Sequence, residues 1–292
     1  MAVTERPSWV NDELFPFESR FVDIDGHRVH YVDEGTGTTL LFLHGNPTWS
    51  FDYSKVIQSL RKDFRCIAVD YPGFGLSTAA PGYRYLPTEH AQVIGAFVQE
   101  LGLSGATLVA HDWGGPIGLA TVQRHPKAFD RLVLTNTWAW PVNDLLIQTM
   151  SHVMGSAIGR LLIRQLNLFV NVMIPIGHRL TKPTDEQMTH YQKALDSPAR
   201  REASAVFPRE ITSSRAFLAD IEARLTDLAT LPTLIIWGDA DFAFGNNELR
   251  RLEQTFTDRQ TIIVKGAAHF VPSDAPEQFA AAIRSWHNPL NS

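Results

Sequence analysis

The chain has 292 residues, 44% hydrophobic, 20% charged and 10% aromatic, and its 26 Lys and Arg against 31 Asp and Glu leave a net charge of −5. Such a balance builds a globular protein with a large core and excludes a disordered chain, a collagen-like repeat and a disulfide scaffold. No run of Lys or Arg makes the basic stripe that nucleic acid or anionic lipid would need, and the lone Cys66 forms neither an internal disulfide nor a cysteine-based zinc site.

At about 150 residues per domain the length allows two units or one large α/β domain. The first ten residues lack the basic start and apolar stretch of a signal peptide, and no 18-residue apolar span follows, so a cytoplasmic protein without a membrane segment is expected. Phe21 to Ile24 and His27 to Val32, separated by Asp25-Gly26, read as an antiparallel hairpin on a sheet edge. Six apolar, β-branched runs follow at Thr39 to Leu43, Cys66 to Val69, Ala106 to Ala110, Arg131 to Leu134, Leu234 to Trp237 and Thr261 to Val264. Helical periodicity falls between most of them, at Tyr53 to Arg61, Glu89 to Leu101, Gly115 to Arg124, Asn247 to Phe256 and Glu277 to Trp286. Asp274 is placed to cap the last helix, with Pro276 in its first turn. This alternation predicts a mostly parallel eight-stranded sheet flanked by helices on both faces.

The alternation breaks after Trp140-Pro141 and resumes near Leu231-Pro232. Pro175, Pro183, Pro198 and Pro208 divide the helical stretch between, and from Leu145 to Gly177 the only charged residues are Arg160 and Arg164. The expectation is one catalytic domain, residues 1–139 and 209–292, interrupted by a helical cap over residues 140–208.

Ligands bind beyond the carboxyl ends of strands in open α/β sheets. After the Ala106 strand stands His111-Asp112-Trp113-Gly114-Gly115, with small residues two positions either side of Asp112. That is the spacing of a nucleophile elbow, and a carboxylate at a helix N-terminus is favoured in its ionised form. Taken alone, Asp112 reads equally as a helix N-cap. Gly238-Asp239-Ala240-Asp241 follows the Leu234 strand and Gly266-Ala267-Ala268-His269 the Thr261 strand, giving nucleophile, acid and base in the chain order of an α/β hydrolase. His269 is then the base and Asp241 the carboxylate that orients it, with Asp239 a rival read as a solvated loop residue. His44-Gly45-Asn46-Pro47 ends the Thr39 strand, where a glycine admits close backbone approach and the loop supplies an oxyanion-hole amide. His44 and His111 read as structural, as does Asp70-Tyr71-Pro72-Gly73-Phe74-Gly75-Leu76-Ser77, which lacks the lysine of a phosphate loop. Trp138 and Trp140 fit either a pocket wall or packing at the cap junction. No histidine pair has metal-ligand spacing, so neither metal nor cofactor is expected.

With His44-Gly45-Asn46-Pro47-Thr48-Trp49, His111-Asp112-Trp113-Gly114-Gly115-Pro116 and His269-Phe270, the chain resembles the haloalkane dehalogenases of the α/β-hydrolase family from about Phe15 to Trp286. The resemblance implies nucleophile Asp112, base His269, acid Asp241 and halide-holding N–H donors from Trp113 and Asn46. One branch of that family carries a Glu acid after the sixth strand, where this chain has Asn136. Another uses a cap tryptophan as second donor, and none lies here between Trp140 and Trp237. Asp241 with Asn46 resembles the third grouping, in which self-association is common, so a homo-oligomer is expected.

The residue types suit displacement at an sp3 carbon: a carboxylate expels halide and becomes an alkyl ester, neutral N–H donors meet the leaving halide, and a neutral histidine activates water to open the ester. The expected substrate is therefore a small halogenated alkane, giving alcohol and halide, with activity falling at acid pH. Epoxide hydrolases also use an elbow Asp but need two cap tyrosines, and Tyr191 is the only one in this cap. A fluoroacetate-type dehalogenase places Arg beside the nucleophile, where this chain has Trp113. A non-catalytic binding protein on the same scaffold would have no need of Asp112, Asp241 and His269 together.

Overall fold

The computed structural model describes residues 6–287. Its strands are β1 Arg20–Ile24, β2 His27–Glu34, β3 Thr39–Leu43, β4 Arg65–Val69, β5 Ala106–His111, β6 Phe129–Thr135, β7 Thr233–Gly238 and β8 Arg259–Val264. They form one eight-stranded sheet in the order β1-β2-β4-β3-β5-β6-β7-β8. The hairpin lies on one edge as expected, with Asp25 and Gly26 both at positive φ (49° and 82°), the conformation a two-residue turn of this kind requires. β2 joins β4 antiparallel, and β3 to β8 are parallel.

Alternate residues of the central strands feed two separate cores. Leu41 and Leu43 of β3, Leu108 and Ala110 of β5, and Ile235 and Trp237 of β7 face one side; Leu40 and Phe42, Val109, and Leu234 and Ile236 face the other. With both faces buried these strands read as nearly continuous apolar runs, their polar residues Thr39, Thr107, Thr233 and His111 lying toward the strand ends. Helices Pro87–Glu100, Gly114–Arg124, Arg215–Ala223 and Asn246–Thr255 pack on the first face, and Ser54–Leu60 and Pro276–His287 on the second.

Between β6 and β7 the chain carries helices Leu145–Gly155, Ala157–Leu166, Asp185–Ala194, Glu202–Ser213 and Arg215–Ala223. Pro208 lies inside Glu202–Ser213, and its carbonyl accepts from Ser151 Oγ at 2.7 Å, joining that helix to Leu145–Gly155. The outer face of this segment is apolar, with Leu145 78%, Ile158 72% and Val153 63% exposed. No single helix among the described residues is long and apolar enough to cross a membrane.

Asp274 departs from its expected role. The last helix does begin at Pro276, but the Asp274 carboxylate is turned away from it. Its Oδ1 accepts from the backbone N–H groups of Arg179, Leu180 and Thr181 at 2.7–2.9 Å, and its Oδ2 from that of Ala268 at 2.8 Å.

Candidate active site

The residues singled out by sequence converge beyond the carboxyl ends of β3, β5, β7 and β8. Asp112 sits at the sharp turn between β5 and helix Gly114–Arg124 with φ of 49°, a left-handed conformation that costs a non-glycine residue about 1–2 kcal/mol. Three hydrogen bonds hold the turn: Gly115 N–H donates to Asp112 O (2.9 Å), Asp112 N–H to Asn136 O (3.2 Å) and Thr137 Oγ1 to Asp112 O (2.6 Å). The loop after β3 presses close against it. A Cβ at Gly45 would overlap the Asp112 carboxyl, so only glycine lets this backbone reach the carboxylate.

That approach places Asn46 N–H 2.8 Å from Asp112 Oδ2, and the Trp113 N–H also donates to this carboxylate. Burial pushes the Asp112 carboxyl up to about 6, against the opposing pull of the His269 charge and those two N–H groups. The group is therefore ionised at neutral pH yet barely hydrated, a combination that favours nucleophilic attack.

His269 follows β8, and its Nδ1 lies 3.0 Å from Asp241 Oδ2. The Asp241 side chain is fully buried. Burial works against its charge, but the His269 charge and hydrogen bond, the Ala243 N–H and the Asn136 amide hold the carboxyl below its ordinary range. For His269, burial pushes downward; the Asp241 charge and hydrogen bond, then the Asp112 and Asp52 charges, outweigh it and raise the imidazole to about 8. Asp239 is exposed and accepts from Gly266 N–H at 2.6 Å, a tie between the β7 and β8 loops in keeping with its reading as a loop carboxylate.

Asn46, Asp112, Trp113 and His269 line one cavity of about 640 Å³. Trp138 and Trp140 form part of its wall with Phe244, while Leu146, Met150, Met154 and Met173 reach in from the insertion. Trp138 meets Trp113 edge to face, with ring centres 4.7 Å apart. The two flanking histidines bind backbone. His44 Nδ1 donates to Gly45 O (2.9 Å) and its Nε2 accepts from Tyr71 N–H (3.2 Å), and burial pushes it down to about 4. His111, pushed well down by burial, donates from Nε2 to the carbonyl of His269 at 2.8 Å.

The sequence alone gives Asn136 no role. At the end of β6, its Nδ2 donates to Asp241 Oδ2 (2.8 Å) and Gly238 O (3.1 Å), while its Oδ1 accepts from Gly238 N–H (2.9 Å). It fastens β7 to β6 and supports the Asp241 carboxylate at once. Its place just past a strand end, like that of the other site residues, was the available clue.

Residues 38–276 match the model of the α/β-hydrolase fold family. The chain is 43% identical over 275 residues to haloalkane dehalogenase 2 of Mycobacterium tuberculosis, covering 93% of this chain and 95% of that one. It is 30% identical over 283 residues to the cis-3-alkyl-4-alkyloxetan-2-one decarboxylase of Shewanella oneidensis, covering 94% and 89%. Among solved structures, a putative ancestral haloalkane dehalogenase superposes with a TM-score of 0.84 at 25% identity, over 93% of this chain and 99% of that one. The chain belongs to the α/β-hydrolase fold family, within its haloalkane dehalogenases.

Proposed function

We propose that the protein hydrolyses haloalkanes to an alcohol, halide and a proton through a covalent ester on Asp112. One observation carries the reading: Asp112, buried but ionised and held by two backbone N–H groups, shares an apolar cavity with a histidine whose Nδ1 is bound to Asp241. Asp112 attacks the halogen-bearing carbon, the carbon–halogen bond breaks, and the indole N–H of Trp113 with the side-chain amide of Asn46 receives the halide. His269 then takes a proton from water as the water attacks the Asp112 carboxyl carbon, and the N–H groups of Asn46 and Trp113 hold the oxyanion. Ester formation removes the Asp112 charge, one of those that raise His269, so the imidazole becomes easier to deprotonate when its base is needed. Residues 140–208 act as the cap, whose methionine and leucine side chains keep competing water from the ester.

The test is release of bromide or iodide from short terminal haloalkanes, with His269→Phe trapping an alkyl mass on the Asp112 peptide. Absence of both halide release and adduct refutes the proposal. A second reading has specific support in the 30% identity to an oxetan-2-one decarboxylase and in a cavity roomier than a short haloalkane fills. Turnover of a cis-3-alkyl-4-alkyloxetan-2-one without halide release from haloalkanes would favour it. The epoxide alternative is weakened because the Tyr191 hydroxyl is committed to Asp52. A homo-oligomer remains part of the proposal, with a second copy covering the exposed Leu145, Val153 and Ile158; Val153→Glu with Ile158→Glu should then yield a smaller species by light scattering.

A further inference from the structure

Asp52 and Asp274 are fully buried carboxylates with no part in the steps above, and both bind the segment that carries His269. Asp274 joins Ala268 to residues 179–181 of the insertion, as described. Asp52 lies in the turn Ser50–Tyr53 beyond β3; its Oδ1 accepts from the Tyr191 hydroxyl at 3.0 Å and stands 2.6 Å from Ser273 Oγ. Ser273 Oγ is in turn 2.8 Å from His178 Nε2, and His178 Nδ1 is 2.7 Å from the carbonyl of Ile174.

The hydrogens in this row can be counted. A carbonyl only accepts, so His178 Nδ1 carries a hydrogen. The Ser273 hydroxyl has one hydrogen and two short contacts. With neither partner protonated the hydroxyl serves one of them, and an added proton, on His178 or Asp52, would join the second. Burial pushes Asp52 up to about 6 and His178 down to about 4, so an added proton settles on Asp52 rather than His178, and at neutral pH the Asp52 carboxylate is ionised and takes the Ser273 hydrogen. Ser273 O–H therefore donates to Asp52 Oδ1 beside the Tyr191 hydroxyl, and His178 keeps its own bond from Nδ1 to the Ile174 carbonyl while its Nε2 stands against Ser273 Oγ. Around it stand the charges of His269, Asp274 and Lys182. Asp52 comes from the core, Ser273 from the short helix that follows His269, and His178 and Tyr191 from the insertion. Phe270 N–H completes the lacing by donating to Gly177 O at 3.1 Å.

We propose that Asp52, Ser273 and His178 act as positioning residues for His269, latching its loop to the cap while the ester is hydrolysed. This rests on the reading of His269 as the base of the second step. Alkylation of Asp112 does not use His269 and hydrolysis does, so the two steps separate a positioning role from a structural one.

The experiment follows the bromide burst from 1-bromobutane by quenched flow, with intact mass of the quenched full-length enzyme, in wild type, Ser273→Ala, Asp52→Leu and Asp52→Asn. The latch predicts that Ser273→Ala and Asp52→Leu keep the burst rate within about twofold, accumulate the butyl-enzyme and hydrolyse it about tenfold more slowly. Asp52→Asn keeps a polar partner for Ser273 and Tyr191 without the charge and should lose at least about threefold less than Asp52→Leu. Wild-type hydrolysis with no adduct in Ser273→Ala and Asp52→Leu overturns the latch alone. Equal loss of burst and hydrolysis also overturns it, since that marks a general structural defect. No burst from wild type overturns the catalytic reading and the latch with it.

Discussion

Replacing Asp112 with Asn should stabilise the protein, in a way that depends on pH. Burial raises the carboxyl from 3.8 to about 6 on folding, with the His269 charge and the Asn46 and Trp113 N–H groups recovering only part of the cost. A folded value above the unfolded one means that the group supports folding while protonated; its contribution is complete below pH 3.8 and lost as pH rises through about 6. At about 1.4 kcal/mol for each tenfold change, the rise corresponds to about 3 kcal/mol of destabilisation at pH 8. Asn keeps the shape and an oxygen for the Asn46 N–H while dropping the charge. Asp112→Asn should therefore gain about 3 kcal/mol at pH 8 and about half of that at pH 5, where even the unfolded carboxyl draws less from ionising. Loss of the attraction to protonated His269 trims the gain further on the acid side. Urea unfolding followed by tryptophan fluorescence reads both values from the midpoint at unchanged slope. No gain at pH 8, or an equal gain at both pH values, would refute the claim that Asp112 is held in a destabilised ionised state.

Three other outcomes are expected. Asn136→Ala orphans the Gly238 N–H and C=O and strips a donor from Asp241; at about 1–3 kcal/mol for each buried orphan it should lose at least about 3 kcal/mol in urea and slow ester hydrolysis more than the halide burst. The single-turnover halide burst should fall about tenfold per pH unit below about 6, as Asp112 takes up a proton and ceases to attack; a burst unchanged at pH 5 would contradict the assignment. Asp274→Ala leaves four backbone N–H groups without their acceptor and should lower the midpoint of thermal unfolding more than Asp274→Asn, which keeps an acceptor oxygen for Arg179, Leu180 and Thr181.

The parts legible in the sequence were those written locally. Each central strand is a short apolar run because both its faces are covered, and each expected site residue follows such a run directly. The placing of Asp112, His269 and Asp241 thus needed only strand ends and chain order. The illegible parts were pairings between distant residues. Asn136 meets Asp241 105 positions away, Asp52 meets Tyr191 139 away and Ser273 221 away. Asp274 was misread because local spacing offers a helix start, while three donors 93 to 95 positions earlier claim its carboxylate instead. An Asp ahead of a Pro-Glu pair has the same pattern whichever partner captures it.

The insertion leaves the sheet after β6 and returns before β7, whereas Asn46, Asp112, Asp241 and His269 all stand on core loops. Such an arrangement invites exchange of the insertion between relatives, with those four residues staying behind and the cavity changing hands. The Asp274 carboxylate sets a compatibility rule for such chimaeras. A donor insertion must present backbone N–H groups where residues 179–181 now lie, or the exchange leaves the buried Asp274 Oδ1 without donors beside the loop of His269. Grafts cut to carry 174–182 with the cap should fold where grafts that divide that stretch do not.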